Sequence, residues 1–220
     1  MKQDIINKDW EEAIKDIDNN VIDLVVTDPP YGMSFKSNYR KVKHKAIQND
    51  NNLYWLPDWV TELKRVCKED AHLYIFCSWH NIDVFKKEVG KHFNVKNILI
   101  WEKNNTGMGD LEGDYAPKYE MILFCSNGKK KLNGGRDANI LKAKRTQNEN
   151  HPTEKPINLI SYLIEKSSEK GDLVLDTFGG SCGTAIASRQ KERNCICIEI
   201  EEDYCRVAKE RLFSTTMSLF

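Results

Sequence analysis

The sequence predicts an α/β fold, a doubly wound sheet of seven strands within a single domain spanning residues 1–220. Three observations carry this reading. Seven short apolar runs rich in β-branched and aromatic residues alternate with stretches of helical spacing. A hydrophobic content of 40%, with 30% charged and 10% aromatic residues, over 220 residues supports one sizeable core and excludes a disordered, collagenous or coiled-coil chain. Near the C-terminus, a strand, a glycine-rich turn, a helix and a second strand follow one another in the manner of a nucleoside-binding βαβ unit.

Taken in order, a weak strand at Asp4–Asn7 leads to a helix at Trp10–Ile17, and IDLVVT at Ile22–Thr27 reads as a buried strand. The polar stretch Tyr31–Asn52 is too long for a connector and reads as a functional or disordered loop. A helix at Trp55–Cys67, a strand at His72–Cys77, a helix at Asn81–Gly90 and a strand at Val95–Trp101 come next. Two further long polar segments, Glu102–Lys118 and Asn127–Asn150, flank the strand Tyr119–Cys125. The chain closes with a helix at Ile157–Ser167, a strand at Leu173–Asp176, a helix at Thr184–Gln190, a strand at Cys195–Glu199 and a helix at Asp203–Leu212 with Asp203 as its N-cap.

Charge is balanced overall, with 33 basic and 33 acidic residues, so local clusters decide what the surface can bind. Lys36, Arg40, Lys41, Lys43 and Lys45 form one acid-free run; Lys129, Lys130, Lys131, Arg136, Lys142, Lys144 and Arg145 form another, against the single acid Asp137. Two such runs in loops of a neutral protein point to a polyanion-binding cleft. The seven cysteines include no Cys-x-x-Cys pair and lie mostly in apolar stretches, so they are expected to be buried reduced thiols with no metal site. No apolar run reaches the ~18 residues of a membrane span, and the start Met1-Lys2-Gln3-Asp4 lacks a signal-peptide core, so a cytoplasmic protein with no membrane partner is expected.

Asp28-Pro29-Pro30-Tyr31 stands where the strand Ile22–Thr27 ends, the position at which open α/β sheets bind ligands. Proline restricts the residue before it and fixes its own φ, so Asp28, the Pro29 carbonyl and Tyr31 are held rigidly. A carboxylate beside a carbonyl offers two acceptors to an NH2 group, and the ring offers a stacking face to a planar base. In the segment Leu173–Ala187, Gly179, Gly180 and Gly183 allow a ligand to approach the backbone, and Glu199 at the end of the next strand can accept from ribose hydroxyls. The loop is followed by no Lys-Ser/Thr, which favours a nucleoside without phosphates. His151-Pro152-Thr153-Glu154-Lys155-Pro156 enters a helix, with Pro156 suited to its first turn and Lys155 available to a carboxylate.

These three motifs, and their order, resemble the S-adenosylmethionine-dependent DNA amino-methyltransferases of the beta group. Asp28–Tyr31 is similar to the catalytic tetrapeptide, His151–Pro156 to the HPTxKP segment, and Asp176–Thr184 to the cofactor loop. The resemblance implies a seven-stranded, Rossmann-like methyltransferase sheet with one antiparallel strand near an edge, and a target-recognition region at about 102–150. It implies a catalytic set of Asp28, Pro29, Pro30 and Tyr31, and a cofactor set of Asp9, Thr153, Lys155, Pro156, Asp176, Phe178, Gly180, Ser181, Thr184 and Glu199. Methyl transfer to the N6 of a flipped adenine in double-stranded DNA is the implied reaction, with both basic runs on the DNA. Cytosine N4 is the alternative target, and a DNA-binding relative without catalysis is the alternative from a different class. The short recognition region leaves room for a partner subunit, as in a homodimer, to help cover the duplex. One departure stands out, since Cys182 replaces the last glycine of the cofactor loop. The expectation is a negative φ at Cys182, or else a turn shifted onto Gly183.

Overall fold

The computed structural model describes residues 1–32, 52–107, 112–146 and 154–217. Its strands are β1 (Gln3–Asn7), β2 (Ile22–Thr27), β3 (Cys67–Cys77), β4 (Asn94–Glu102), β5 (Tyr119–Ser126), β6 (Ile140–Lys142), β7 (Leu173–Asp176) and β8 (Asn194–Glu199). Its helices are α1 (Trp10–Ala13), α2 (Leu56–Val66), α3 (Ile82–Val89), α4 (Ile157–Ser167), α5 (Gly183–Gln190) and α6 (Glu202–Met217). The strands form one sheet in the order β1-β8-β7-β2-β3-β5-β4-β6. Among the described residues only β5 runs against its neighbours, pairing antiparallel with β3 on one side and β4 on the other.

Alternate residues of the central strands feed two separate cores, which is why these strands read as continuous apolar runs. In β2, Val25 packs beneath α1, α2 and α3, while Leu24 and Val26 face α4, α5 and α6. Leu73 and Ile75 of β3 follow the first set, Tyr74 and Phe76 the second. Trp59 is fully buried in the first core and donates its Nε1–H to Thr177 Oγ1 at 3.0 Å. The rings of Trp10, Trp55 and Trp59 surround Phe178 at 5.4–6.5 Å, so the loop after β7 is seated on aromatic side chains from α1 and α2.

Several expectations are corrected. Among the described residues the sheet has eight strands instead of seven, because Ile140-Leu141-Lys142 pairs parallel with β4; three residues amid basic side chains carry too little pattern to reveal a strand. Cys67 opens β3 and does not close α2, since pairing with Ile22 draws its backbone into the extended region. The helix expected at Trp10–Ile17 is a four-residue α-turn followed by a 3-10 turn at Ile14–Asp16. Asp203 lies inside α6: the Glu199 carboxylate accepts the Glu201 N–H at 2.8 Å, and the helix begins at Glu202. Pro156 occupies the N-cap of α4 instead of its first turn, with its carbonyl accepting from Leu159 and Ile160.

Candidate active site

The carboxyl ends of all the parallel strands meet along one end of the sheet. The strand order reverses between β7 and β2, where open α/β sheets form their ligand crevice. At that point Asp176, the last residue of β7, accepts Thr27 Oγ1–H at 2.9 Å, Thr184 Oγ1–H at 2.7 Å and Phe178 N–H at 3.1 Å. Burial pushes its carboxyl up to about 6 despite these donors. Asp176 and Thr184, expected to hold the cofactor, are thus engaged with each other and with β2. They fix the glycine loop against the strand that carries the tetrapeptide.

Asp28 lies one residue beyond β2. Tyr31 Oη–H donates to its Oδ1 at 2.5 Å, and the Lys155 ammonium donates to its Oδ2 at 2.5 Å. The Tyr31 carbonyl accepts from Asn81 Nδ2 at the start of α3, which pins the turn from the other side. Lys155, expected among the cofactor residues, is 8% exposed and therefore points inward at this acid. Its Nζ also stands 3.2 Å from Glu120 Oε2, and Lys103 holds Glu120 Oε1 at 2.7 Å. Burial raises the Asp28 carboxyl above its ordinary value and Lys155 works against that rise. Burial works to lower Lys155, but Asp28 and Glu120 prevail and keep it charged. Glu120 is likewise held below the usual carboxylate range by Lys155 and Lys103, in spite of its burial.

Glu120 and Lys103 are absent from the residues singled out in the sequence. Because β5 is antiparallel, its first residues arrive where its neighbours end, with Met121 opposite Cys77 and Glu120 opposite Trp101. The available signal was an acid one residue inside an otherwise apolar strand, Tyr119-Glu120-Met121-Ile122.

The glycine loop presses close to β8. A Cβ on Gly179 would lie 2.4 Å from Cys197 Sγ and 2.9 Å from Cys182 Sγ, so no side chain fits there. Cys182 overturns both expectations for it: its φ is +51°, and the left-handed turn stays on the cysteine while Gly183 begins α5. The conformation is held from both sides, as Cys182 N–H donates to Gly179 O at 2.7 Å and its carbonyl accepts from Ala185 and Ile186. All seven cysteines are free and buried.

Glu199 ends β8 and accepts Gly180 N–H at 2.6 Å and Glu201 N–H at 2.8 Å, one on each oxygen. Each oxygen keeps a lone pair, so the residue fits a ribose diol; burial pushes its carboxyl up to about 7. Gly180 touches Glu199 through that hydrogen bond; the Ser181 carbonyl next to it accepts from Arg211 at 3.1 Å, and the Phe178 ring lies among Trp10, Trp55 and Trp59. Asp9 caps α1, accepting Glu11 N–H at 2.8 Å. Thr153 lies outside the described residues, as do Lys36, Arg40, Lys41 and Lys43.

The second basic run is divided by the topology. The Lys130 carbonyl meets His72 Nε2 at 3.2 Å, and His72 lies five residues before the end of β3. At about 3.3 Å per residue, Lys129, Lys130 and Lys131 stand roughly 17 Å from the carboxyl end of the sheet. Arg136 keeps to the same far side, next to Asp137, which pairs with Lys166 in the last turn of α4. Lys142, Lys144 and Arg145 do reach the site end: Lys142 is opposite Glu102, and Arg145 N–H donates to Asn104 Oδ1 at 2.9 Å.

A family described as DNA methylase, of N6 and N4 methyltransferases, matches residues 22–143 and 136–210. The type II methyltransferase M.HpaI of Haemophilus parainfluenzae is 29% identical over 248 residues, covering 97% of this chain and 75% of that protein. The DNA adenine methyltransferase YhdJ of Escherichia coli (strain K12) is 28% identical over 244 residues, covering 94% and 82%. The crystal structure of an M1.HpyAVI–SAM complex aligns with a TM-score of 0.74 at 27% identity, over 96% of this chain and 99% of that one.

Two outcomes follow from the loop and its acid. Replacing Cys182 by glycine relieves about 1–2 kcal/mol of left-handed strain and removes a buried CH2–SH of about the same worth, so the denaturation midpoint should move by less than about 1 kcal/mol, whereas Cys182→Val should cost more than about 2 kcal/mol. For Glu199, the folded chain keeps a proton up to about 7 that the unfolded chain releases near 4.5. Wild-type stability therefore loses this contribution as pH rises through that window. The difference in unfolding free energy between Glu199→Gln and wild type should grow from about pH 4.5 to about pH 7 and then level off. His72, lowered to about 4 by burial, runs in the opposite sense but cancels in the difference.

Proposed function

We propose that this chain, which belongs to the N6/N4 DNA methylase family and is an S-adenosylmethionine-dependent DNA methyltransferase, acts on the exocyclic N6 of adenine in double-stranded DNA. The observation that carries the reading is the half-buried Asp28 carboxylate one residue beyond β2, tied through Thr27 and Asp176 to the glycine loop beside it. When bound, S-adenosylmethionine supplies an electrophilic methyl group on sulfur. Glu199 fits its ribose, with Gly180 beside it and Ser181 next along the loop. The chain's own task is to make a poor nucleophile attack. Asp28 and the Pro29 carbonyl accept the two N–H bonds of the amine, which localises its lone pair toward the methyl. Asp28 would receive the proton that the nitrogen sheds on taking up the methyl group. Pro30 holds the turn, and the Tyr31 ring stacks on the base after it has been flipped from the duplex.

The Asp form of the tetrapeptide and the name of the relative YhdJ favour adenine over cytosine N4. Target recognition is assigned to the connection between β4 and β5, residues 103–118, with Lys142, Lys144 and Arg145 beside its first described residues. This surface is small for a duplex, so a second copy of the chain completes the cover, and the enzyme works on DNA in the cytoplasm.

In a methylation-free host, the chain should leave N6-methyladenine, read by mass spectrometry of digested DNA; N4-methylcytosine would reassign the target. Asp28→Ala should abolish transfer while S-adenosylmethionine affinity stays within a few-fold, and near-normal turnover would sink the mechanism. Phosphate contacts can be located by salt dependence. Neutralising Lys144 and Arg145 together should make the slope of log K against log salt shallower by about 0.9 per lost contact, and neutralising Lys129, Lys130 and Lys131 should leave it unchanged.

A further inference from the structure

We propose that Glu120 is a positioning residue for methyl transfer, which draws the Lys155 ammonium off Asp28 as the substrate amine arrives and so frees the carboxylate only in a loaded site. The inference rests on Asp28 being the amine's acceptor. With no substrate bound, Asp28 carries one donor on each oxygen, the Tyr31 hydroxyl on Oδ1 and the Lys155 ammonium on Oδ2. An amine can use the remaining lone pairs, but as long as the ammonium stays on Oδ2 it lowers the basicity of the carboxylate and opposes passage of the amine's proton to it. Lys155 is buried and cannot retreat into water without giving up its partners, so a second buried anion must receive it.

Glu120 is placed to be that anion. Its Oε1 is anchored by Lys103 at 2.7 Å, which fixes the direction of the carboxylate. Its Oε2 is buried, makes no hydrogen bond among the described residues, and faces the Lys155 ammonium at 3.2 Å. A shift of roughly half an ångström would bring that separation to the ~2.8 Å of a charge-assisted hydrogen bond. The exchange leaves the cluster neutral, two acids with two lysines, and separates no new charge. Among the described residues, the other ionisable groups facing this pair are Tyr31 on the tetrapeptide turn, Cys77 at the end of β3 and Asp176 at the end of β7. Burial raises the Cys77 thiol to about 12 and the Tyr31 phenol well above its ordinary value, so both stay uncharged while the lysine moves.

The test uses the full-length chain with duplex DNA and S-adenosylmethionine. Glu120→Gln should lower kcat about tenfold, the worth of one well-placed charge-assisted hydrogen bond, with cofactor affinity unchanged. The acidic limb of the kcat/KM profile should move to lower pH, because Glu120 no longer opposes ionisation of Asp28 and Lys155 stays on it. In a Lys155→Met background the same substitution should cost nothing further. A folded Glu120→Gln chain with an unmoved acidic limb, or losses that simply add in the double variant, would assign Glu120 a structural role and overturn the proposal. Should Glu120→Gln fail to fold, Lys103→Met carries the test: it leaves Lys155 as the remaining cation on Glu120 and should move the limb to higher pH, and an unmoved limb overturns the proposal. A wild-type chain that binds S-adenosylmethionine yet methylates no duplex overturns the function proposed above; an active wild type with unresponsive variants overturns this inference alone.

Discussion

The hydrogen bond from Thr27 to Asp176 joins two strands that lie 149 positions apart in sequence and side by side in the sheet. Everything at the site depends on that tie. It spans the point where the winding reverses, so that the tetrapeptide after β2 and the glycine loop after β7 share one anchor. A carboxylate this deeply buried is costly unless its lone pairs are satisfied, and three protein donors satisfy Asp176. The result is a fixed distance between the group that would hold an amine and the loop that would hold its methyl donor. In-line transfer needs that constancy more than it needs any single strong contact.

The reversed strand β5 has equally broad consequences. Parallel strands all present their last residues to the ligand, but an antiparallel one presents its first. Glu120 therefore enters the catalytic group from a strand start, and the basic residues that follow β5 are carried to the opposite end of the sheet. One inversion of direction thus adds an acid beside Asp28 and removes three lysines from the side where the duplex would lie.

The strands and the motifs that end them were legible because buried parallel strands need unbroken apolar runs and because proline and glycine restrict or free the backbone locally. Asp28, Tyr31, Gly180 and Glu199 are brought to one end of the sheet as their positions at strand ends implied. What the sequence concealed was pairing. Nothing local distinguishes the direction of β5 from that of its neighbours, so Glu120, Lys103 and the division of the basic run could not be read from residue types. The short β6 and the start of β3 at Cys67 depend in the same way on partners, Ile100 to Glu102 for one and Ile22 for the other. Cys182 failed for a different reason: a non-glycine residue was judged by its own preference, whereas the hydrogen bonds around it and the lack of space at Gly179 set the turn.

Burying Lys155 and partly burying Asp28, Glu120 and Lys103 around it gives up hydration that their attractions largely offset at best, so the cluster is poor as a device for stability. It makes sense as a device for control. Four charges that sum to zero can exchange partners without creating an isolated ion, and a carboxylate guarded by an internal ammonium is a poorer site for stray cations. The rigid parts, Asp176 with Thr27 and the left-handed Cys182 turn, keep the distances; the movable part is a lysine with two acids within reach. Fixed backbone and mobile charge are thus assigned to different residues, and the sheet, by ending β2 and starting β5 at the same place, is what allows them to meet.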